Sequence, residues 1–164
     1  MRIVLRAFGI AWMIALMIAG SMPEAHAKSR SNKKSSKTLH MRVSTPLPVK
    51  GEGTTTTSGL TYWDIEPGAG EPAVKGKIVK IRYKGWNQAG KEFENSTTFG
   101  EPSIFKLGAG QVIAGWDEGV EGMKVGGKRE LRIPPNLAYG DVGREPSVPP
   151  NSTLTYEIEL IGVQ

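Results

Sequence analysis

At 164 residues the chain has room for one domain with a substantial core plus appendages, not for two full domains. It holds no cysteine, which excludes disulfides, zinc-thiolate sites and a cysteine nucleophile. The formal charge of +5 is uneven, because from residue 51 onward 12 Lys and Arg stand against 15 Asp and Glu; the basic excess lies N-terminal to the presumed domain, which is not a nucleic-acid binder.

Residues 1–27 open with Arg2 and Arg6, run through the apolar stretch Ala7 to Gly20, break at Pro23 and end in Ala25-His26-Ala27. A charged start, an apolar centre and an A-x-A cleavage site form a secretory signal peptide. The apolar run is shorter than the about 20 residues a membrane-spanning helix needs, so cleavage is the primary reading and an uncleaved anchor the alternative. Both imply export, to a periplasm first, with secretion or signal-anchoring as variants. Residues 28–58 read as a basic linker. Lys28, Arg30, Lys33, Lys34, Lys37, Arg42 and Lys50 lie between residues 28 and 50 without one acid, and with no apolar periodicity this segment is expected to be disordered. It reads as a solubilising leader, or as a weak contact for an anionic envelope polymer. Gly51 to Gly59 has the composition of a flexible join.

The folded domain is expected over residues 59–164. Val79, Ile81 and Tyr83 alternate with Lys80, Arg82 and Lys84, which predicts a half-buried strand. Leu154, Tyr156, Ile158 and Leu160 predict a second, and Leu131 with Ile133 a weaker third. Shorter candidates lie at Thr61–Ile65, Glu92–Glu94 and Ile104–Leu107, separated by Pro67-Gly68, Ala89-Gly90, Gly126-Gly127 and Pro134-Pro135. One segment has a helical period: Ile113, Trp116, Val120 and Met123 make one stripe, with Asp117, Glu118 and Glu121 off it. The implied class is α+β, mostly β.

The two histidines, His26 and His40, precede the presumed domain, so triad, His-metal and imidazole acid-base chemistry lack their central residue. Asp117, Glu118 and Glu121 read as a solvated helix face rather than a metal cluster. Asn95-Ser96-Thr97 and Asn151-Ser152-Thr153 match a glycosylation acceptor, relevant only in a eukaryote. Gly122 to Arg129, GMKVGGKR, imitates a phosphate-binding loop but ends in Arg129 where a hydroxyl is required, and it leads out of a helix rather than into one. Its glycines are expected to shape turns. What remains is an aromatic and aliphatic set, Tyr83, Phe93, Val112, Ile113, Trp116, Tyr139 and Tyr156. These read as ordinary core residues or, because a small sheet under one helix has little room for a whole indole, as aromatics left with Trp116 at the rim of the core, where they make a pocket.

The blocks GWNQAGKEFENS from Gly85, LGAGQVIAGWDEGVEGMKVGGKREL from Leu107, IPPNLAYGDVG from Ile133 and VPPNSTLTYEIELI from Val148 resemble, in order and spacing, the FKBP-type peptidyl-prolyl cis-trans isomerases, especially exported bacterial ones. The resemblance covers about Ser58 to Gln164. It implies a twisted antiparallel sheet of five or six strands wrapped around one short α-helix, with a proline pocket between them. It also implies isomerisation of X-Pro bonds in exported proteins without metal or cofactor; the alternative is a proline-segment-binding chaperone or interaction domain with weak isomerase activity. By position, Trp116 matches the pocket floor, Tyr83, Phe93 and Tyr156 its walls, and Val112 and Ile113 the pair before the helix. The Ile113 amide is the expected partner of a substrate carbonyl, and the Tyr139 hydroxyl a second one. Val148 joins the expected substrate-binding residues. Glu94 stands for the usual pocket aspartate, and Ser103 for a phenylalanine wall, which should open that side unless Phe99 compensates. Arg144-Glu145 sits in a loop where small or apolar residues are usual. Implied partners are unfolded or extended proline-containing polypeptides and a macrolide immunosuppressant, bound by a monomer.

Overall fold

The computed structural model describes residues 45, 46 and 48–164. The signal-peptide reading of residues 1–27 and the disorder reading of residues 28–44 lie outside the described residues, and so does the side chain of Phe99.

Seven strands form one antiparallel sheet: β1 (Thr54–Thr55), β2 (Thr61–Glu66), β3 (Ile78–Trp86), β4 (Glu92–Asn95), β5 (Ser103–Lys106), β6 (Lys128–Ile133) and β7 (Leu154–Val163). Their order is β1-β2-β6-β7-β3-β4, with β5 also paired to β3. Strand β3 carries β7 along one edge and, in succession, β5 on Ile78–Ile81 and β4 on Lys84–Trp86 along the other. The two-fold side-chain period fixes which face is covered. Val79 and Ile81 of β3, Leu131 and Ile133 of β6, and Leu154, Tyr156, Ile158 and Leu160 of β7 are all buried. Helix α2 (Ala114–Val120) contributes Trp116 and Val120 to the same core.

The antiparallel sheet around one short helix is as expected, and the strand count is higher by the two-residue β1. That strand falls inside the expected flexible join, where Thr54 pairs with Tyr62 and Thr55 with Thr61. β-Branched threonines suit an extended backbone, and the Thr55 and Thr61 hydroxyls bond each other at 3.0 Å. The Thr56 N–H donates to the Leu60 carbonyl and closes the turn between the strands. A single helical turn, α1 (Ser96–Phe99), follows β4; the Asn95 side chain accepts from the Thr97 N–H at its start, and Gly100 in a left-handed conformation ends it. The Asn95-Ser96-Thr97 acceptor pattern is thereby committed to structure, since Asn95 caps this turn and Ser96 is buried against β3. Helix α2 stops before the predicted stripe does, because Gly122 turns the chain with φ +78°, yet Met123 still packs into the core.

Candidate functional site

The topology brings residues from five segments to one hollow. Strand β3 supplies Tyr83, β4 supplies Glu94, β7 supplies Tyr156, the entry to α2 supplies Val112, Ile113 and Trp116, and the loop after β6 supplies Tyr139. Together these seven residues line a cavity of about 190 Å³. Its floor is aromatic. The Trp116 ring meets Tyr83 edge-on at 4.6 Å between centroids and Tyr156 at 5.1 Å, and tilts against Phe105 at 6.1 Å. Edge-to-face pairs of this kind add about 0.5–1.5 kcal/mol each beyond area burial.

Of the two readings of Trp116, core and rim, the structure shows the core one, with 6% of its surface exposed. Helix α2 lies so close to β6 that a Cβ on Gly115 or Gly119 would run into Ile133 or Leu131, an approach that a sequence pattern does not disclose. The Trp116 indole Nε1 meets no hydrogen-bond partner among the described residues. Phe93 props Tyr156 from the side, at 5.9 Å between rings, and does not itself line the cavity. Two further expected residues are not among the seven that line the cavity. Ser103 begins β5 opposite Ile81 and Val148 is a core residue at 1% exposure, so neither lines the cavity. As the register partner of buried Ile81, Ser103 shares the inner face of the sheet with Phe105, where its short side chain supplies no wall to the cavity.

Ile113 is the residue before the first turn of α2, with φ −59° and ψ 144°, and its carbonyl accepts from the Trp116 N–H at 2.9 Å. Among the described residues its own N–H meets no acceptor, as befits the open end of a helix. The helix acids have more definite roles than a solvated face. Asp117 accepts from the Gly108 and Gly110 N–H groups at 2.8 and 2.9 Å, which holds the loop leading to Val112, and Glu118 accepts from the Ser58 hydroxyl at 2.8 Å.

A polar chain runs along one side of the hollow. The Tyr156 hydroxyl donates to Glu94 Oε2 at 3.0 Å, Arg144 Nη1 donates to Glu94 Oε1, and the same Nη1 donates to the Tyr139 hydroxyl at 2.8 Å. Burial pushes the Tyr156 phenol far above its ordinary value, and the Glu94 charge adds to that. Burial and then Glu94 raise Tyr83 in the same direction. Burial acts against the Arg144 cation, but its bonds to Glu94 and Tyr139 more than offset this and raise it. Both phenols are thus kept protonated and the guanidinium charged. Reading by residue type missed Arg144 as a site residue, although the sequence marked it as unusual in its loop.

Residues 69–161 match the family model described as FKBP-type peptidyl-prolyl cis-trans isomerase. An FK506-binding protein of Neisseria meningitidis serogroup B is 47% identical over 105 residues, covering 64% of this chain and 96% of that one. The FKBP-type peptidyl-prolyl cis-trans isomerase FkpA of Escherichia coli is 48% identical over 110 residues, 67% of this chain and 40% of its own. Among solved structures, FkpA from Escherichia coli superposes with a TM-score of 0.64 at 46% identity over 70% of this chain and 53% of that chain. AtFKBP13 gives 0.65 at 42% identity over 70% of this chain and the whole of its own. Family model, relatives and fold agree, and the chain belongs to the FKBP-type peptidyl-prolyl cis-trans isomerases, enzymes that act on proline-containing polypeptides.

Proposed function

We propose that X-Pro isomerisation takes place in the cavity floored by Trp116, within a domain spanning residues 59–164 that β1 extends at its N-terminus. The observation that carries this is the convergence of three mutually packed rings, Tyr83, Trp116 and Tyr156, in one cavity with Ile113 and Tyr139, whose N–H and hydroxyl are available as donors. Rotation about an X-Pro bond faces a barrier of roughly 18–20 kcal/mol because amide resonance gives the C–N bond double-bond character. In the twisted state that resonance is lost, the imide nitrogen becomes pyramidal, and the group is less polar than the planar amide. A prolyl ring seated on Trp116, between Tyr83 and Tyr156, finds a dry apolar surface that favours the twisted form. The Ile113 N–H and Tyr139 O–H hold carbonyl groups turned out of the plane. No covalent step is required.

The energetic demand is modest. Uncatalysed isomerisation takes roughly 10–100 s. Raising that to about 100 turnovers per second requires roughly 4–5 kcal/mol of barrier lowering, within reach of a fitted pocket and two hydrogen bonds. The test is exchange between cis and trans forms of a short X-Pro peptide, followed by NMR, together with proline-limited refolding of a test protein. Acceleration of both, with Trp116 and Tyr139 resonances shifting on peptide addition, is the expected result. Acceleration that leaves those resonances unmoved would put the reaction elsewhere on the molecule.

The same cavity is the proposed site for a macrolide of the kind named by the FK506-binding relatives. Export is proposed from the charged, apolar and A-x-A succession in residues 1–27, with exported proteins as clients and a monomer as the working form.

A further inference from the structure

We propose that Arg144 is a positioning residue for the isomerisation, acting through Tyr139, whose hydroxyl it turns into an oriented donor. The inference rests on the Trp116 cavity being the X-Pro site. A guanidinium offers donors and no acceptor, so where Arg144 Nη1 meets the Tyr139 hydroxyl at 2.8 Å the phenol oxygen must accept. The phenol proton is then left for a second partner. Arg144 is the sole partner of that hydroxyl among the described residues, and Tyr139 lines the cavity, so an incoming carbonyl is the acceptor the geometry provides for. A cation on the oxygen also polarises the O–H bond and makes it a stronger donor.

Arg144 is held in place from both ends. At its head, Nη1 also donates to Glu94, whose second oxygen is occupied by the Tyr156 hydroxyl at 3.0 Å. The wall tyrosine, the carboxylate, the guanidinium and the donor tyrosine thereby form one continuous chain. The two positions that depart from the family pattern, a glutamate for the usual aspartate and an arginine in a loop where small or apolar residues are usual, are partners in it. At its backbone, Arg144 and Val148 exchange both main-chain hydrogen bonds, at 2.7 and 2.9 Å, and Val148 is buried. Gly143, at φ +71°, lies so close that a Cβ would stand 2.6 Å from the Val148 carbonyl oxygen, so only glycine leads into this turn. Asn87 Nδ2 donates to the Ser147 carbonyl at 3.0 Å and ties the loop to the end of β3. The guanidinium position is therefore set by the fold rather than by a freely moving surface side chain.

The experiment is a double-mutant cycle on the full chain, with kcat/KM read by NMR exchange on a short X-Pro peptide and folding checked by thermal melts. Arg144→Met and Tyr139→Phe are each expected to lose about 10-fold, and the double variant no more than the larger single loss, because both remove the same donor. Arg144→Lys, which restores a cationic donor, is expected to recover part of the Arg144→Met loss. Losses that multiply to about 100-fold in the double variant would overturn the proposal, since Arg144 would then act independently of Tyr139. An unchanged rate in Arg144→Met would overturn it too. No loss in Tyr139→Phe would instead remove Tyr139 from the site, a failure of the cavity assignment that takes this inference with it. The Arg144 side chain is about half exposed, so its variants are expected to fold. Arg144→Leu, which likewise carries no donor, serves the same comparison if the methionine variant does not fold.

Discussion

Ile113 offers a way to remove a single backbone donor from a protein site. Its φ of −59° is the angle a proline ring imposes, and it stands outside the first helical turn, where a missing N–H breaks no helix bond. Ile113→Pro is therefore expected to keep the fold while lowering kcat/KM by about 10- to 100-fold, the scale of one lost transition-state donor. Ile113→Val, which keeps the amide, controls for the trimmed side chain and should change little. NMR exchange on an X-Pro peptide reads both, and equal rates in the two would remove the amide from the site. Trp116 is a poorer probe. Replacing a buried indole by alanine costs about 3–5 kcal/mol of stability, which confuses lost affinity with lost fold.

At the scale of elements, the pocket floor depends on how near α2 lies to β6. A Cβ on Gly115 would stand 2.4 Å from Ile133 Cγ2, and Ile133 is fully buried and β-branched, so it has nowhere to turn. Gly115→Ala is expected to destabilise the domain by about 1–3 kcal/mol through overpacking, against at most about 1 kcal/mol gained in helix propensity. A lower denaturation midpoint with an unchanged slope would show it, and a stabilised variant would mean that the helix is free to lift. The helix itself was readable from the spacing of Ile113, Trp116 and Val120, and strands β3 and β7 from their strict alternation. Strand β1 was not, since two residues have no period. Turn α1 was not either, although Asn95 and Gly100 mark both of its ends. The burial of Trp116 is a distance between two elements, and the pairing of Arg144 with Glu94 joins positions 50 residues apart, so neither leaves a local pattern. The aromatic residues of the site came from family resemblance, and their contact geometry came from the structure.

At the scale of the whole molecule, every strand and core residue among the described residues lies between Thr54 and Val163. A chain beginning at residue 45 is accordingly expected to melt at the same temperature and to isomerise a short X-Pro peptide at the same rate as the full chain. A slower truncated enzyme would assign residues 1–44 a part in the reaction. The charge divides in the same place, with an acid-rich domain behind a basic leader, so any attraction to an anionic surface should vanish with that truncation while catalysis stays.

Strand β7 is the one seam between two half-sheets, β1-β2-β6 on one side and β3-β4-β5 on the other. While residues 154–163 are unpaired, neither half can complete its pairing, and Tyr83 lacks the neighbouring Tyr156 ring. Such long-range pairing delays folding until the strand is in place. The two half-sheets and the pocket between them thus come into being together, in the one step that seats β7.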